Sequence, residues 1–279
     1  MKIAFFKYHA LENDFLVLEA ARCRVSRRRL PALARAICDR RRGAGADGIV
    51  LLSSSRKADR KFDIYNSDGG WAEKSGNGLR IAGLHLAKSS RRKSISFETA
   101  NSIDTVTIGR KTKDGSIVSG EIGKPEFRTS LIPVKTRHKF LINTPLKVGG
   151  VTLPITCVAV GNPHAVIVVD DFDFDWQTLG AEIETSKPFP NYVNVEFVKV
   201  LSRRKIQASS WERGAGPTGS SGTGAAASVA AMVMLGVVDR KCDVTFRAGT
   251  LSVDWNADTD LIKVTGPVVP VMEGVFEFK

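Results

Sequence analysis

The sequence predicts an α+β protein built by duplication, and three observations carry the prediction. Two glycine-rich loops, IYNSDGGWAEKSGNG at 64–78 and WERGAGPTGSSGTG at 211–224, each run into a small-residue segment of helical character. Short stretches of β-type residues surround each of them, so both halves read strand–helix–strand–loop–helix–strand. A hydrophobic fraction of 43% over 279 residues supplies the core of one large or two medium domains.

The elements follow in order. Residues 3–8 and 14–19 read as strands around a polar turn. Over 27–41, Leu30, Leu33, Ala34 and Ile37 fall at i, i+3, i+4 and i+7 with arginines opposite, which predicts an amphipathic helix ended by Gly43. IVLLSSS and FDIYNS are strands. Residues 76–88 form a helix with Leu79, Ala82, Gly83 and Leu86 on one face. SISFET, DTVTIG and GSIVSGEIG complete the first half. In the second half, ITCVAVG and HAVIVVD are strands, 176–184 a short helix, and VNVEFVKVL and IQASSWE strands. Residues 222–235 are so rich in alanine and valine that the helix is expected to be buried on all sides. DVTFRAG, LSVDWN, LIKVTG and GVFEF are strands again. The prolines and charges of KPEFRTSLIPVK, 124–135, suit a linker between the halves.

The formal net charge of +12 raises the question of nucleic acid. The basic runs Arg27–Arg29, Arg40–Arg42, Arg91–Lys93 and Arg203–Lys205 lie at helix ends and loop tips with little aromatic interleaving, and no recognised nucleic-acid motif accompanies them. They read as solvated surface, able to draw in a carboxylate-bearing substrate. Four scattered cysteines, at 23, 38, 157 and 242, have no metal-ligand spacing and read as reduced thiols. No apolar run reaches bilayer length and the N-terminus lacks a signal peptide's pattern, so a cytoplasmic location is expected, with no membrane partner.

Each loop sets one hydroxyl, Ser75 or Ser221, immediately before the amides that open a helix. Glycines allow close backbone approach, and helix-start amides attract an anion such as a carboxylate. Two such loops facing each other would hold a carboxylate and set one side chain on each face of the neighbouring carbon. Taken alone, each serine reads as a simple amide cap.

Six ordered blocks resemble the diaminopimelate epimerase family over nearly the whole chain: FKYHALENDF at 6–15, GAGADGIVLL at 43–52, IYNSDG with SGNG, GNPHAVIVVDD at 161–171, NYVNVEF at 191–197 and WERGAGPTGSSGTGA at 211–225. The resemblance implies two pseudo-symmetric domains, each a curled, mostly antiparallel sheet around a central helix. They would cover 1–127 with 267–279, and 128–266, the last strand crossing back to the first domain. It implies a cofactor-independent amino-acid epimerase that moves a proton at Cα with two bases, with no metal or other cofactor. A small amino acid is the partner, and a homodimer is open. Ser75 and Ser221 stand where the family has its catalytic cysteines. Substrate-binding positions fall on Asn13, Asn66, Asn162, Asn194, Glu212 and Arg213, and on the amides of Gly76, Asn77, Gly222 and Thr223. Asp68 and His164 fall on supporting positions. The pattern is broken at Ala10 and Glu12, which replace glycines, at Pro217, where a glutamate is usual, and at Lys74, expected to point to solvent beside Ser75 or else to form a Ser–Lys dyad. A thiol has a reference pKa near 8.5. A hydroxyl is a far weaker acid, so the resemblance leaves open a silent amino-acid binder. An isomerase of the phenazine-biosynthesis or proline-racemase type is the other alternative.

Overall fold

The computed structural model describes residues 1–90, 92–100, 102–148 and 150–279, so Arg91 of the third basic run lies outside the described residues. The chain divides into two compact units, Met1–Glu121 with Thr265–Lys279, and Ile122–Val264.

In the first unit, β1 (Lys2–Ala10) and β2 (Asn13–Glu19) form a two-residue hairpin. A 3-10 turn at Arg27–Arg29 leads into α1 (Leu30–Cys38). Leu30, Leu33, Ala34 and Ile37 are buried, as their periodicity predicts. The helix ends earlier than its pattern suggests, and Gly43 is not the left-handed cap. It lets the chain fold back onto the helix, since a Cβ there would lie 2.4 Å from the Ala36 carbonyl oxygen. The left-handed residue is Gly45. Next come β3 (Gly48–Ser53), β4 (Arg60–Asn66), β5 (Trp71–Ala72), α2 (Gly76–Ser90), β6 (Ser94–Glu98), β7 (Ile103–Lys111) and β8 (Ser116–Gly123). β2–β3 and β4–β6 pair parallel; β1–β2, β3–β4, β4–β5, β6–β7 and β7–β8 pair antiparallel. Helix α2 is buried from Gly76 to His85 and packs on β1, β2, β3, β6 and β7.

The second unit contains β9 (Thr144–Val148), β10 (Val151–Ala159), β11 (Pro163–Val168), α3 (Trp176–Glu184), β12 (Asn194–Ser202), β13 (Lys205–Glu212), β14 (Gly216–Thr218), α4 (Gly222–Met234), β15 (Lys241–Phe246) and β16 (Gly249–Trp255). Its pairings repeat the order of the first unit. β10–β11 is antiparallel, β11–β12 parallel, β12–β13 and β13–β14 antiparallel, β13–β15 parallel and β15–β16 antiparallel. Helix α4 is buried from Gly222 to Met232, as its composition predicts, and packs on β10, β11, β12, β13, β15 and β16.

Segment 124–135 is not a free linker. Glu126 bridges Ala159, a 3-10 turn follows at Thr129–Leu131 and Ile132 is buried, so the segment is a packed part of the second unit. The last strand, β17 (Ile262–Glu277), runs through Pro267 and Pro270 and pairs with β1 and β8. The two short strands expected there are one strand, because a register shift opposite Lys7 and Tyr8 absorbs the proline interruption. No described helix is long and apolar enough to cross a membrane.

Candidate active site

The candidate residues of the first unit gather at the start of α2. Ser75 precedes the helix, and its Oγ accepts the amide of Gly78 at 3.1 Å. Asn77, one residue into α2, donates through Nδ2 to Asn13 Oδ1 at 3.0 Å. Asn13 in turn donates to Asp47 Oδ2 at 2.9 Å, so both ends of its carboxamide are held. Asp47 belongs to a cluster with Asp14, Lys7 and Arg40. Arg40 grips Asp14 with two nitrogens at 2.8 and 3.1 Å, and Lys7 Nζ lies 2.9 Å from it. Burial works to raise the Asp14 pKa, but these two cations outweigh it and hold the carboxyl below its ordinary range. Burial and the neighbouring Asp14 charge push Asp47 upward.

The strand-to-helix loop is closed at its base. The Gly70 amide donates to exposed Asp68 Oδ1 at 2.7 Å, and the Asn66 amide donates to the Gly70 carbonyl at 2.8 Å. Asp68 therefore shapes the turn that follows Asn66. Between them and the chain's return, Gly69 has a φ of +86°, and a Cβ there would lie 2.6 Å from the Pro31 carbonyl.

Lys74 does not point to solvent. It is buried, with Nζ 2.6 Å from Asp104, itself held by Thr99 Oγ1 at 2.8 Å and Ser102 Oγ at 2.9 Å. Burial pulls the ammonium pKa below its usual range against the attraction of Asp104. The sequence places Asp104 thirty residues away on β7, so nothing local announces the pair.

The candidate residues of the second unit gather at the start of α4. Ser221 is the N-cap, 2% exposed, and its Oγ accepts the amide of Gly224 at 3.1 Å. Asn162 Nδ2 reaches Thr223 Oγ1 at 3.4 Å, while its Oδ1 lies 2.8 Å from His164 Nε2. His164 Nδ1 lies 2.9 Å from Glu196 Oε1, and both residues are fully buried. Asn194 is engaged by backbone on both sides: it donates to the Pro163 carbonyl at 2.8 Å and accepts the Arg213 amide at 3.0 Å. It ties the Asn162 turn to the Glu212–Arg213 turn. Thr218 donates to Glu212 at 2.8 Å. Pro217 is exposed and stands opposite Trp211 in the β13–β14 register.

Several supporting residues are not singled out by the sequence: Asp14, Asp47 and Glu196, although they lie within the family-like blocks, Arg40, which reads there as solvated surface, and Asp104 and Glu184, which have no local signal. Glu184, at the end of α3, accepts from Trp211 Nε1 at 2.6 Å and from the Gly214 amide at 2.9 Å, and so braces the turn bearing Glu212 and Arg213. The four cysteines are all buried free thiols, and burial pushes Cys38 and Cys157 up to about 12 and Cys242 to about 11. None is poised as a thiolate.

The arrangement in each unit is the same device. A hydroxyl caps a buried helix, the helix dipole and its opening amides favour negative charge there, and an asparagine flanks it, Asn13 opening β2 in the first unit and Asn162 in the turn just before β11 in the second. The chemistry offered is recognition of an anion next to a weak acid or base.

The family model described as diaminopimelate epimerase matches residues 5–127 and 156–271. The chain is 37% identical over 278 residues to a diaminopimelate epimerase of Pelotomaculum thermopropionicum, covering 99% of each chain. It is 39% identical over 276 residues to that of Carboxydothermus hydrogenoformans, covering 98% of each. Among solved structures it is similar to a hydroxyproline epimerase from Agrobacterium vitis, with a TM-score of 0.71 at 13% identity, covering 98% of this chain and 92% of that one. At that identity the likeness carries the fold alone.

Proposed function

The chain belongs to the diaminopimelate epimerase family, and from that premise we propose that it interconverts LL- and meso-diaminopimelate without a cofactor, with Ser75 and Ser221 as the two proton-transfer groups. Inverting a carbon needs a base on one face and an acid on the other. Each unit supplies one loop with one hydroxyl, and the reading assigns the two loops to opposite faces of the same carbon. One serine, as alkoxide, takes the α-proton; the other hydroxyl delivers a proton to the opposite face. The negative charge that develops at the carboxylate is met by the opening amides of α2 and α4, at Gly76, Asn77, Gly222 and Thr223. Glu212 and Arg213, with Asn66 and Asn194, take the distal ammonium and carboxylate, for which an arginine fork and amide or carboxylate oxygens are the matching groups.

The observation that carries this reading is the shared geometry of the two serines. Each hydroxyl oxygen accepts a helix-start amide at 3.1 Å, a position where the dipole and the N–H stabilise an alkoxide over an alcohol. The same contacts favour the second reading, an amino-acid binder that no longer inverts its ligand, because an N-cap serine needs no chemistry to explain it.

NMR in D2O with purified protein and LL-diaminopimelate separates the two. Loss of the α-proton signal with growth of the meso form is the expected result. Ligand line broadening without exchange, at high protein concentration, would establish the binder instead.

A further inference from the structure

Glu196 is a fully buried carboxylate on β12 that the chemistry above does not use. We propose that Glu196 is a positioning residue which, through His164, turns the Asn162 carboxamide so that its NH2 group faces the first turn of α4. The value of that orientation rests on the reading that a substrate carboxylate sits at the start of this helix.

His164 lies between two oxygens, Glu196 Oε1 at Nδ1 and Asn162 Oδ1 at Nε2. An amide oxygen only accepts, so Nε2 must carry a hydrogen. Two proton placements satisfy this: an imidazolium beside a carboxylate, or the Nε2–H tautomer beside a protonated Glu196. Both leave the buried pair without net charge. Placing the hydrogen on Nδ1 instead would turn Asn162 around: beside an ionised Glu196 it leaves a net charge on two fully buried side chains, and beside a protonated Glu196 it puts the carboxyl hydrogen on Oε2, where no described residue accepts it. Glu196 Oε2 has no hydrogen-bond partner among the described residues, which makes an uncompensated carboxylate there costlier still. The pair therefore holds Nε2–H, Nε2–H holds Asn162 Oδ1, and the amide donors are left facing Thr223.

The packing around the pair is close. A Cβ at Gly224 would lie 2.8 Å from Glu196 Oε1 and 3.0 Å from Ser210 Oγ, so only glycine lets α4 sit this near. Ser210 is the direct cross-strand partner of Glu196.

The first unit shows what the same positions hold without this device. In the strand registers, His164 pairs Asn194 and Glu196 pairs Ser210, two residues further along β12. Phe15 pairs Gly48 and Val50 pairs Ile64 by the same steps. The positions of His164, Glu196 and Ser210 are thus filled by Phe15, Val50 and Ile64, all buried. With no imidazole to hold its oxygen, Asn13 is turned the opposite way, NH2 to Asp47 and oxygen to Asn77. The asparagine beside Ser221 offers donors, and the one beside Ser75 offers an acceptor.

Histidine ring 15N NMR of the full chain at pH 7.5 tests the assignment, with His164→Ala identifying the His164 signals. The expected spectrum has Nε2 protonated. An Nε2 without a proton in the wild-type chain overturns the proposal. Glu196→Val, which installs the first unit's residue, and the isosteric Glu196→Gln, whose amide both donates and accepts and so does not enforce one proton placement, should each change the His164 ring signals. They should weaken LL-diaminopimelate binding, read by calorimetry, about 10- to 100-fold, the worth of one hydrogen bond to a charged group. Unchanged ring signals and unchanged affinity in a folded Glu196→Gln chain also overturn it. A wild-type chain with Nε2 protonated that binds no LL-diaminopimelate would sink the epimerase reading while leaving the role of Glu196 on Asn162 standing.

Discussion

Replacing Lys74 with methionine removes the cation of a buried pair one residue before Ser75, and the structure sets the size of the effect. Nζ lies 2.6 Å from Asp104, and the two side chains are 5% and 3% exposed. At that distance the attraction amounts to about 6 kcal/mol with an effective dielectric constant of about 20. Desolvation of the two ions, several kcal/mol each, offsets most of it. The downward pKa shift of Lys74 has burial as its leading cause, in keeping with that balance. Breaking the pair from one side is costlier than its net worth, because a charge is left buried. Lys74→Met leaves Asp104 with the Thr99 and Ser102 hydroxyls, so a loss of about 3 kcal/mol is expected, the low end for a broken buried pair. Asp104→Asn strands the ammonium and should cost about 4 kcal/mol. The double variant should cost about 4 to 5 kcal/mol, a coupling of about 2 to 3 kcal/mol. Urea unfolding followed by circular dichroism gives all three values. Deuterium exchange at the substrate α-carbon, measured on the same proteins, should fall less than about tenfold per folded molecule, since this ammonium is committed to Asp104. A Lys74→Met chain that loses under about 1 kcal/mol of stability yet loses exchange altogether would refute the anchoring role and make Lys74 a partner of the Ser75 hydroxyl.

Three further outcomes are expected. Leu11 and Glu12 form the two-residue turn between β1 and β2 with φ of +50° and +67°, a conformation that costs a side-chain-bearing residue roughly 1 kcal/mol or more; Glu12→Gly should raise stability by about that amount in urea unfolding, and no gain would mean the turn is not strained. Asp14 has a lowered pKa in the folded chain, so its contribution is complete above its unfolded value of about 3.9 and is lost as pH falls through the folded value; Asp14→Asn should cost about 2 to 3 kcal/mol at pH 7 and flatten that acid limb, while the raised Asp47 acts in the opposite sense above about pH 4. Ser75→Cys with Ser221→Cys should raise the α-proton exchange rate at least about tenfold at pH 8, where a thiol is partly ionised, and an equal or lower rate would place the proton transfer on other groups.

The parts of this molecule that were legible in its sequence are those whose cause is local. Leu30, Leu33, Ala34 and Ile37 announce their helix and are its buried face, and the alanine-rich run after Ser221 is the buried α4. The glycine-rich loops declare the two helix starts, and Ser75 and Ser221 stand there as caps. The two- and three-residue strands β5 and β14 were not legible, because they exist only as the second edge of β4 and β13. Nor was β17 as one strand, since Pro267 and Pro270 give a local stop signal that a bulge against β1 overrides. The fate of Lys74 depended on Asp104 thirty residues on, and that of Asn194 on backbone groups at 163 and 213.

Duplication itself explains why the two loops look alike in sequence and differ in physics. What the repeat preserves is backbone: the order of parallel and antiparallel pairs, the helix that follows the second hairpin, the hydroxyl at its cap. Those are demanded by the fold, because a buried helix start has amides that must be met. What lies one layer behind is free to diverge, provided the volume is filled. In the first unit it is hydrocarbon, Phe15 with Val50 and Ile64, which fixes the loop by packing and leaves the orientation of Asn13 to Asp47, a carboxylate held in a surface-facing charge cluster. In the second it is His164 with Glu196 and Ser210, which fixes the loop through buried hydrogen bonds. A hydrocarbon backing has no orientation to impart, whereas a hydrogen-bonded one does. The two serines thus share a cap geometry but have unlike surroundings, so their hydroxyls should differ in acidity. A two-base enzyme can use that difference, since at any moment one group must hold a proton that the other lacks.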